Sequence, residues 1–447
     1  MIATVTRCAV ALQTLLCVRA EELAQATGLV QRCRRLRGSQ WVQTLVFGWM
    51  EQPDAALEDL TDQAALLGAT ISPQGLDRWF CPQGADCLKQ LAQQAVGVLL
   101  ETQPAAIPLL PRFERVSVED CTVVALPARL AADYPGCGGG EGDDDGRAQA
   151  ALKMYVRMDL TAGQVTDLAF QPGKQPDVTA GQQAAPLPAG SLRLKDLGFF
   201  DRDMLARDSR AGVHWISRLP SNVMLRAGGG SLESITAFLQ RQSGDAVDES
   251  VQVGRQQPLT CRLLAVRCPE EVRQKRLRGL EKQARKKGRP VSERRRLLCA
   301  WTVLITDLAA EHLTTAEAWV LYRARWQIEL LFKLWKSQGR LAHSAGSRGD
   351  RVLCEVLAKL LAMLVQHWVL LTADPWLDGR PAARKVRRLR RMLNELVLAL
   401  GDQTALEAVL RKIQHQLHRL RPRPRRKKKP GTIDLLKDPR RARLGLS

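Results

Sequence analysis

The chain has 447 residues, 45% hydrophobic and 25% charged, a balance that excludes global disorder and leaves room for several domains. Lys and Arg number 67 against 46 Asp and Glu, a formal net charge of +21, and a field of that sign attracts a polyanion, nucleic acid first. From Arg384 onward there are 20 basic and 5 acidic residues, so most of the excess sits in a terminal arm.

The eleven cysteines are scattered, odd in number and without a Cys-x-x-Cys pair. That pattern argues against a disulfide framework and a structural zinc site, and for a reducing cytosol. Cys8–Val18 reads as a core helix rather than a signal peptide. The apolar stretch Leu360–Leu371, with Glu355 and Lys359 before it and Gln366-His367 within it, falls short of a membrane span. A cytoplasmic chain with no membrane partner is expected.

Residues 1–105 predict a helical region, with helices at Glu21–Thr27, Trp41–Met50, Leu57–Leu67 and Cys87–Glu101. Leu57–Phe80 has helix-turn-helix grammar. Gly68 ends the first helix, Ser72 and Pro73 serve as N-cap and first residue of the second, and Gln74, Asp77 and Arg78 face outward while Leu76, Trp79 and Phe80 face the core. Gln and Arg are residue types that read purine edges in a major groove. A helical hairpin without DNA contact has the same pattern, and both readings stand.

Residues 111–219 change period. Arg115–Asp120, Leu152–Asp159 and Gln164–Phe170 predict strands, the last two joined by the turn Leu160–Gly163. Leu192–Asp196 and His214–Leu219 predict two more, with a short helix at Met204–Ala211 between. Asp120 and Asp196 would each end an apolar strand. Residues 220–296 differ in character: strands at Ser250–Val253 and Leu259–Arg267, then a very basic helix, Glu270–Lys287. In residues 297–345 a strand at Leu297–Thr306 precedes one long helix, Thr315–Ser337. Residues 346–420 are helical, and 421–447 form a basic tail in which Arg421–Lys429, with two prolines, should be extended and solvated. Asp143–Asp145, three acids among glycines, read as a solvated loop.

The long helix carries the most information. Tyr322, Arg325, Glu329 and Lys336 project at roughly 0°, 300°, 340° and 320°, an arc of about 60°. Trp326, Ile328, Leu330, Leu331 and Trp335 surround that stripe with apolar surface. An ionisable stripe on an otherwise buried helix suits a site; an internal Arg325–Glu329 salt bridge would also account for it.

Tyr322-x2-Arg325-x3-Glu329-x6-Lys336 resembles the Tyr-Arg-Glu-Lys signature of bacterial insertion-sequence transposases of the IS-four type. Glu119-Asp120-Cys121-Thr122, running to Leu126-Pro127, resembles the block around that family's first catalytic aspartate. Asp196-Leu-Gly-Phe-Phe200, followed by Ile216-Ser-Arg218, resembles the block holding the second. The resemblance implies an α/β fold: a ribonuclease H-like core of mixed sheet flanked by helices, interrupted by an insertion domain at 220–296, with helical N- and C-terminal regions.

Carried over by position, Asp120, Asp196 and Glu329 would be the catalytic, metal-holding carboxylates, with Glu119 an alternative for the first. Phosphodiester cleavage without a covalent protein nucleophile calls for a hard cation pair, and oxygen ligands suit it. Mg2+ is implied, with Mn2+ as substitute. Tyr322, Arg325 and Lys336 would hold phosphates, joined by Lys333, although Arg325 could equally orient Glu329. The implied activity is cleavage at transposon ends and strand transfer into target DNA, by a homodimer on double-stranded DNA bearing terminal inverted repeats, in the bacterial cytoplasm at the nucleoid. The rivals are a ribonuclease H-like nuclease without strand transfer, and a non-catalytic DNA-binding protein derived from a transposase.

Overall fold

The computed structural model describes all residues except 1, 33–35, 99, 101–106, 139–148, 287, 289, 347, 374–378, 421–430 and 440–447. The acidic run Asp143–Asp145 and the basic run Arg421–Lys429 therefore lie outside the described residues.

In chain order the first helices are α1 (Ile2–Gln13), α2 (Ala20–Ala26), α3 (Gly38–Glu51), α4 (Leu57–Leu66), α5 (Pro73–Asp77) and α6 (Pro82–Gly97). Cys8–Val18 is helical, spanning the end of α1 and a π-helical turn at Thr14–Arg19, but only one face of it is core: Cys8, Leu12, Leu15 and Leu16 are buried while Val10 and Val18 are exposed. Ser72 caps α5 by accepting the Gly75 N–H, and Gly68 takes a positive φ of 75° after α4. The expected second helix of the hairpin is only five residues long, about 7.5 Å, because Cys81-Pro82 starts α6 almost at once.

The chain then forms β1 (Val116–Leu126), β2 (Ala150–Asp159), β3 (Gln164–Pro172), α7 (Asp177–Gln183), β4 (Leu192–Lys195), α8 (Arg202–Arg210) and β5 (His214–Arg218). Next come β6 (Met224–Ala227), β7 (Glu233–Ser234), α9 (Ile235–Gln240), β8 (Ala246–Val253), β9 (Leu259–Arg267), α10 (Glu270–Lys286), α11 (Glu293–Leu298) and β10 (Trp301–Thr306). The remaining helices are α12 (Thr315–Ala324), α13 (Trp326–Gln338), α14 (Gly349–Leu371), α15 (Gly379–Arg390), α16 (Leu393–Ala399), α17 (Gln403–His418) and α18 (Thr432–Lys437).

The strands form one sheet in the order β3-β2-β1-β4-β5-β10-β9-β8-β6-β7. β1 pairs in parallel with β4, and β4 with β5, while β2 and β3 form an antiparallel hairpin. This half of the sheet has the ribonuclease H-like order. Residues 220–296 interrupt the core in sequence, but their strands continue the same sheet: β9 pairs antiparallel with β10, and β10 with β5. Their apolar side chains, among them Phe238, Val251 and Leu263, share one cluster with Trp215, Trp301 and Ile305.

Two compact units result. One comprises residues 1–105, 120–180 and 327–425; the other comprises 106–119, 181–326 and 426–447. In the first, α14 packs against α3 and α6. By length and composition α14 could cross a membrane, but its apolar window is wholly buried inside the protein. Its polar residues are matched there: Lys359 Nζ sits 2.7 Å from Glu355 Oε1 and donates to the His343 carbonyl, and His367 Nε2 lies 2.7 Å from the Gly163 carbonyl oxygen. Such a pairing lets a charged helix serve as a core element.

Candidate active site

Asp196 follows directly on β4 and begins the 3-10 turn Leu197–Phe199. Asp120, expected at a strand end, lies instead in the middle of β1, because the alternating run Cys121–Leu126 carries the strand on for six more residues. Asp120 is half-buried, and its Oδ1 accepts the Cys121 N–H at 2.8 Å. Glu329 lies in the first turn of α13 and is half-buried.

The single long helix expected at Thr315–Ser337 is two. Arg325 keeps helical dihedrals, but its N–H bonds the Tyr322 carbonyl three residues back at 3.1 Å, so the ladder skips between α12 and α13. Trp326, expected against the core, is 55% exposed just after this break. The strand expected from Leu297 starts only at Trp301, because Leu297 and Leu298 end the arginine-rich α11.

In the second unit α12 is firmly placed. Thr314 accepts the Glu317 N–H, the Glu317 carboxylate accepts the Thr314 N–H at 2.9 Å, and Arg112 reaches Glu317 at 2.9 Å. So positioned, the Tyr322 hydroxyl donates to Asp196 Oδ1 at 3.2 Å, and the Arg325 guanidinium stands 3.9 Å from Asp196 Oδ2. Burial, followed by the Asp196 charge, pushes the Tyr322 hydroxyl well above its ordinary range. It therefore stays protonated and keeps its role as a donor.

A second charged group lies along the same strands and joins Glu119, the alternative first carboxylate, to Arg193, Lys195 and Asp208. Arg193 Nε is 3.4 Å from Glu119 Oε1 and 3.5 Å from Asp208 Oδ2, and Lys195 Nζ is 3.6 Å from Asp208. Glu119 and Lys195 are fully buried. Burial is the largest influence on Lys195, whose amine falls to about 8. The signal was present in Leu192-Arg-Leu-Lys195: alternation in a buried strand places Arg193 and Lys195 together on one face, where only acids can compensate them.

Of the remaining predicted residues, Lys333 and Lys336 are exposed on α13. Gln74 and Arg78 are exposed on and just after α5. Asp77, expected to face outward with them, is drawn instead to Arg351 and Arg348 at 3.1 and 3.3 Å.

Residues 113–365 match the profile of a family described as "Transposase DDE domain". The chain belongs to this family. It is a DNA transposase, and the curated relatives that it matches are named as transposases for insertion sequence elements. It is 29% identical over 372 residues to the transposase for insertion sequence element IS231F of Bacillus thuringiensis subsp. israelensis, covering 77% of this chain and 76% of that one. It is 23% identical over 377 residues to the transposase for IS1151 of Clostridium perfringens, covering 79% and 78%. With the transposase for IS421 of Escherichia coli it shares 25% over 377 residues, 80% of this chain and 91% of that one. Among solved structures, a piggyBac transposase synaptic complex with hairpin DNA aligns with a TM-score of 0.46 at 9% identity, over 95% of this chain and 87% of that one.

DDE transposases generally act with divalent metal ions. Among the described residues, no group of three or more His, Cys, Asp or Glu side chains is gathered so as to hold one. The donor chemistry of Asp120, Asp196 and Glu329 nevertheless fits a hard cation, since all three offer carboxylate oxygens. Asp196 has Tyr322 and Arg325 as partners here, and its carboxylate keeps acceptor sites beyond the one that the Tyr322 hydroxyl takes.

Proposed function

We propose that this transposase cuts at the ends of its own element and joins the freed 3′-hydroxyls to target DNA through one site built on Asp120, Asp196 and Glu329. The observation that carries the reading is the meeting of Asp196 with Tyr322 and Arg325. These residues lie 126 positions apart in sequence at the hydrogen bond, and they come from two of the blocks in which the chain resembles insertion-sequence transposases.

Strand register supports the first aspartate. Val118 of β1 is opposite Leu194 of β4 in parallel pairing, and Asp120 and Asp196 each follow their member of that pair by two positions. Alternation puts Asp120 on the face of Val118 and leaves Glu119 on the face of Arg193, where it already has an ion pair. This favours Asp120 over Glu119 as the reacting carboxylate.

Asp120, Asp196 and Glu329 would hold Mg2+, with Mn2+ as substitute; the ion, when bound, lowers the pKa of water and offsets charge on the leaving oxygen. Tyr322 and Arg325 would turn to the phosphates of the element end as hydroxyl and cationic donors, with Lys333 and Lys336 further along α13. Residues 1–105 would take part in end recognition through Gln74 and Arg78, outside a conventional recognition helix. The working assembly would be a homodimer on paired ends bearing inverted repeats, in the bacterial cytoplasm at the nucleoid.

The test is a strand-transfer assay with the full chain, a labelled duplex of the element end, a target plasmid and Mg2+. Label joined to plasmid is the expected product. Cut duplex with no joined label would instead mean a ribonuclease H-like nuclease, and neither product would mean a DNA-binding protein without catalysis.

A further inference from the structure

We propose that the solvent face of α10 is a phosphate-binding surface that grips the backbone of duplex DNA irrespective of sequence. α10 has 17 residues and is about 25 Å long. One side is fastened to β10: Arg276 donates to the Trp301 carbonyl at 3.0 Å and to Thr302 Oγ1 at 2.9 Å. The same guanidinium lies 3.0 Å from Cys268 Sγ. Taking Lys275 as 0°, Val272, Arg276, Leu280 and Leu277 project between roughly 60° and 200°. The helix therefore has a defined inner side.

On the other side Lys275, Arg278, Lys282 and Arg285 project at roughly 0°, 300°, 340° and 280°, and all four are exposed. No ion pair is formed by these four among the described residues. The acids of the helix are mostly engaged elsewhere: Glu270 pairs with Arg273 at 2.8 Å, and Glu281 lies 4.0 Å from Arg296. Only Glu271 enters the arc, one turn before Lys275.

Within the stripe, like charges three and four residues apart form three successive repelling pairs, offset only in part by Glu271 and Glu281, which stand four residues before Lys275 and Arg285. A surface needed only for solubility would mix signs. A polyanion with regularly repeated charge removes the repulsion. From Lys275 to Arg285 the stripe rises about 15 Å, enough to meet phosphates on both sides of a major groove about 12 Å wide. Its four members are Lys and Arg projecting along one side of a helix, which suits backbone contact rather than base readout.

The experiment compares the full chain with the variant Lys275→Gln/Arg278→Gln/Lys282→Gln/Arg285→Gln. Binding to a random-sequence duplex and to an element-end duplex is measured from about 50 to 200 mM salt. The slope of log affinity against log salt should shallow by up to about 3.6, which is 0.9 for each lost contact, and by equal amounts on both duplexes. The double variant Lys275→Gln/Lys282→Gln should give about half of that change, and it serves if the quadruple variant does not fold. An unchanged slope in a folded variant, as an acidic protein partner would produce, overturns the proposal, and so does a loss confined to the element end. Because this readout is binding alone, failure of the carboxylate site leaves it standing, and failure of the stripe leaves the carboxylate site standing.

Discussion

Glu119 and Asp120 are adjacent acids in one strand, and strand alternation gives them opposite chemistry. Glu119 is buried against Arg193, so Glu119→Gln should destabilise the fold by about 3 kcal/mol or more, the scale of breaking a buried pair. A shift in the denaturation midpoint reads this. Asp120→Asn should leave the midpoint close to that of the parent while joined product disappears. The opposite assignment of the two effects would move the catalytic role to Glu119. His367 gives a pH dependence of its own. Burial lowers its imidazole from 6.5 to about 4, so the unfolded chain takes up the proton first as pH falls. Its contribution is fully present above pH 6.5, and about 3 kcal/mol is lost between pH 6.5 and 4. His367→Leu should therefore narrow the gap between denaturation midpoints at pH 7 and pH 5. An unchanged gap would show that the imidazole is not the titrating group.

At the scale of elements, legibility followed local chemistry. β9 was readable to the residue, as Leu259–Arg267, because an apolar run with branched residues sits between turn signals. The Ser72-Pro73 start of α5 was equally plain. What the sequence concealed was where elements stop. The break at Arg325 depends on a shift from four-residue to three-residue hydrogen bonding, which no residue type in Tyr322–Trp326 signals. The length of α5 was set by the following helix rather than by α5 itself. α14 was legible as apolar, but its Glu355 and Lys359 suggested interruption when they in fact pair inside the core, 1% and 4% exposed for lysine and glutamate side chains. Lys359→Met should accordingly lower stability by about 3–5 kcal/mol by stranding Glu355, measured by chemical denaturation. If the loss stays below about 1 kcal/mol, the pair is no more than a surface-like contact.

For the whole molecule, the ribonuclease H-like half of the sheet was legible through the order of strands and signature blocks. The joining of residues 220–296 to the same sheet was not, because β9 finds β10 across a long sequence separation that periodicity does not encode. The basic arm at the C-terminus also has more structure around it than composition implies. Beyond Arg421–Lys429, α18 buries Leu435 and Leu436 and packs against α12, the helix that carries Tyr322. Truncation after Leu420 would therefore remove a support of α12 along with the charge. Changing the basic residues of 421–429 to Gln separates the two: binding should weaken on every duplex alike, with a shallower salt slope and unaltered catalysis per bound complex. A loss restricted to element ends would contradict that role.

If Asp120, Asp196 and Glu329 act as one site, cleavage and joining depend on all three alike, and assays of both activities side by side in Asp120→Asn, Asp196→Asn and Glu329→Gln test this. Each amide removes a charge while keeping size and hydrogen-bonding capacity. The predicted result is undiminished binding of the element-end duplex and a fall of about 10³-fold or more in both activities for all three variants. A variant that retains either activity at the parent's level, or loses only one of the two, would contradict the single site.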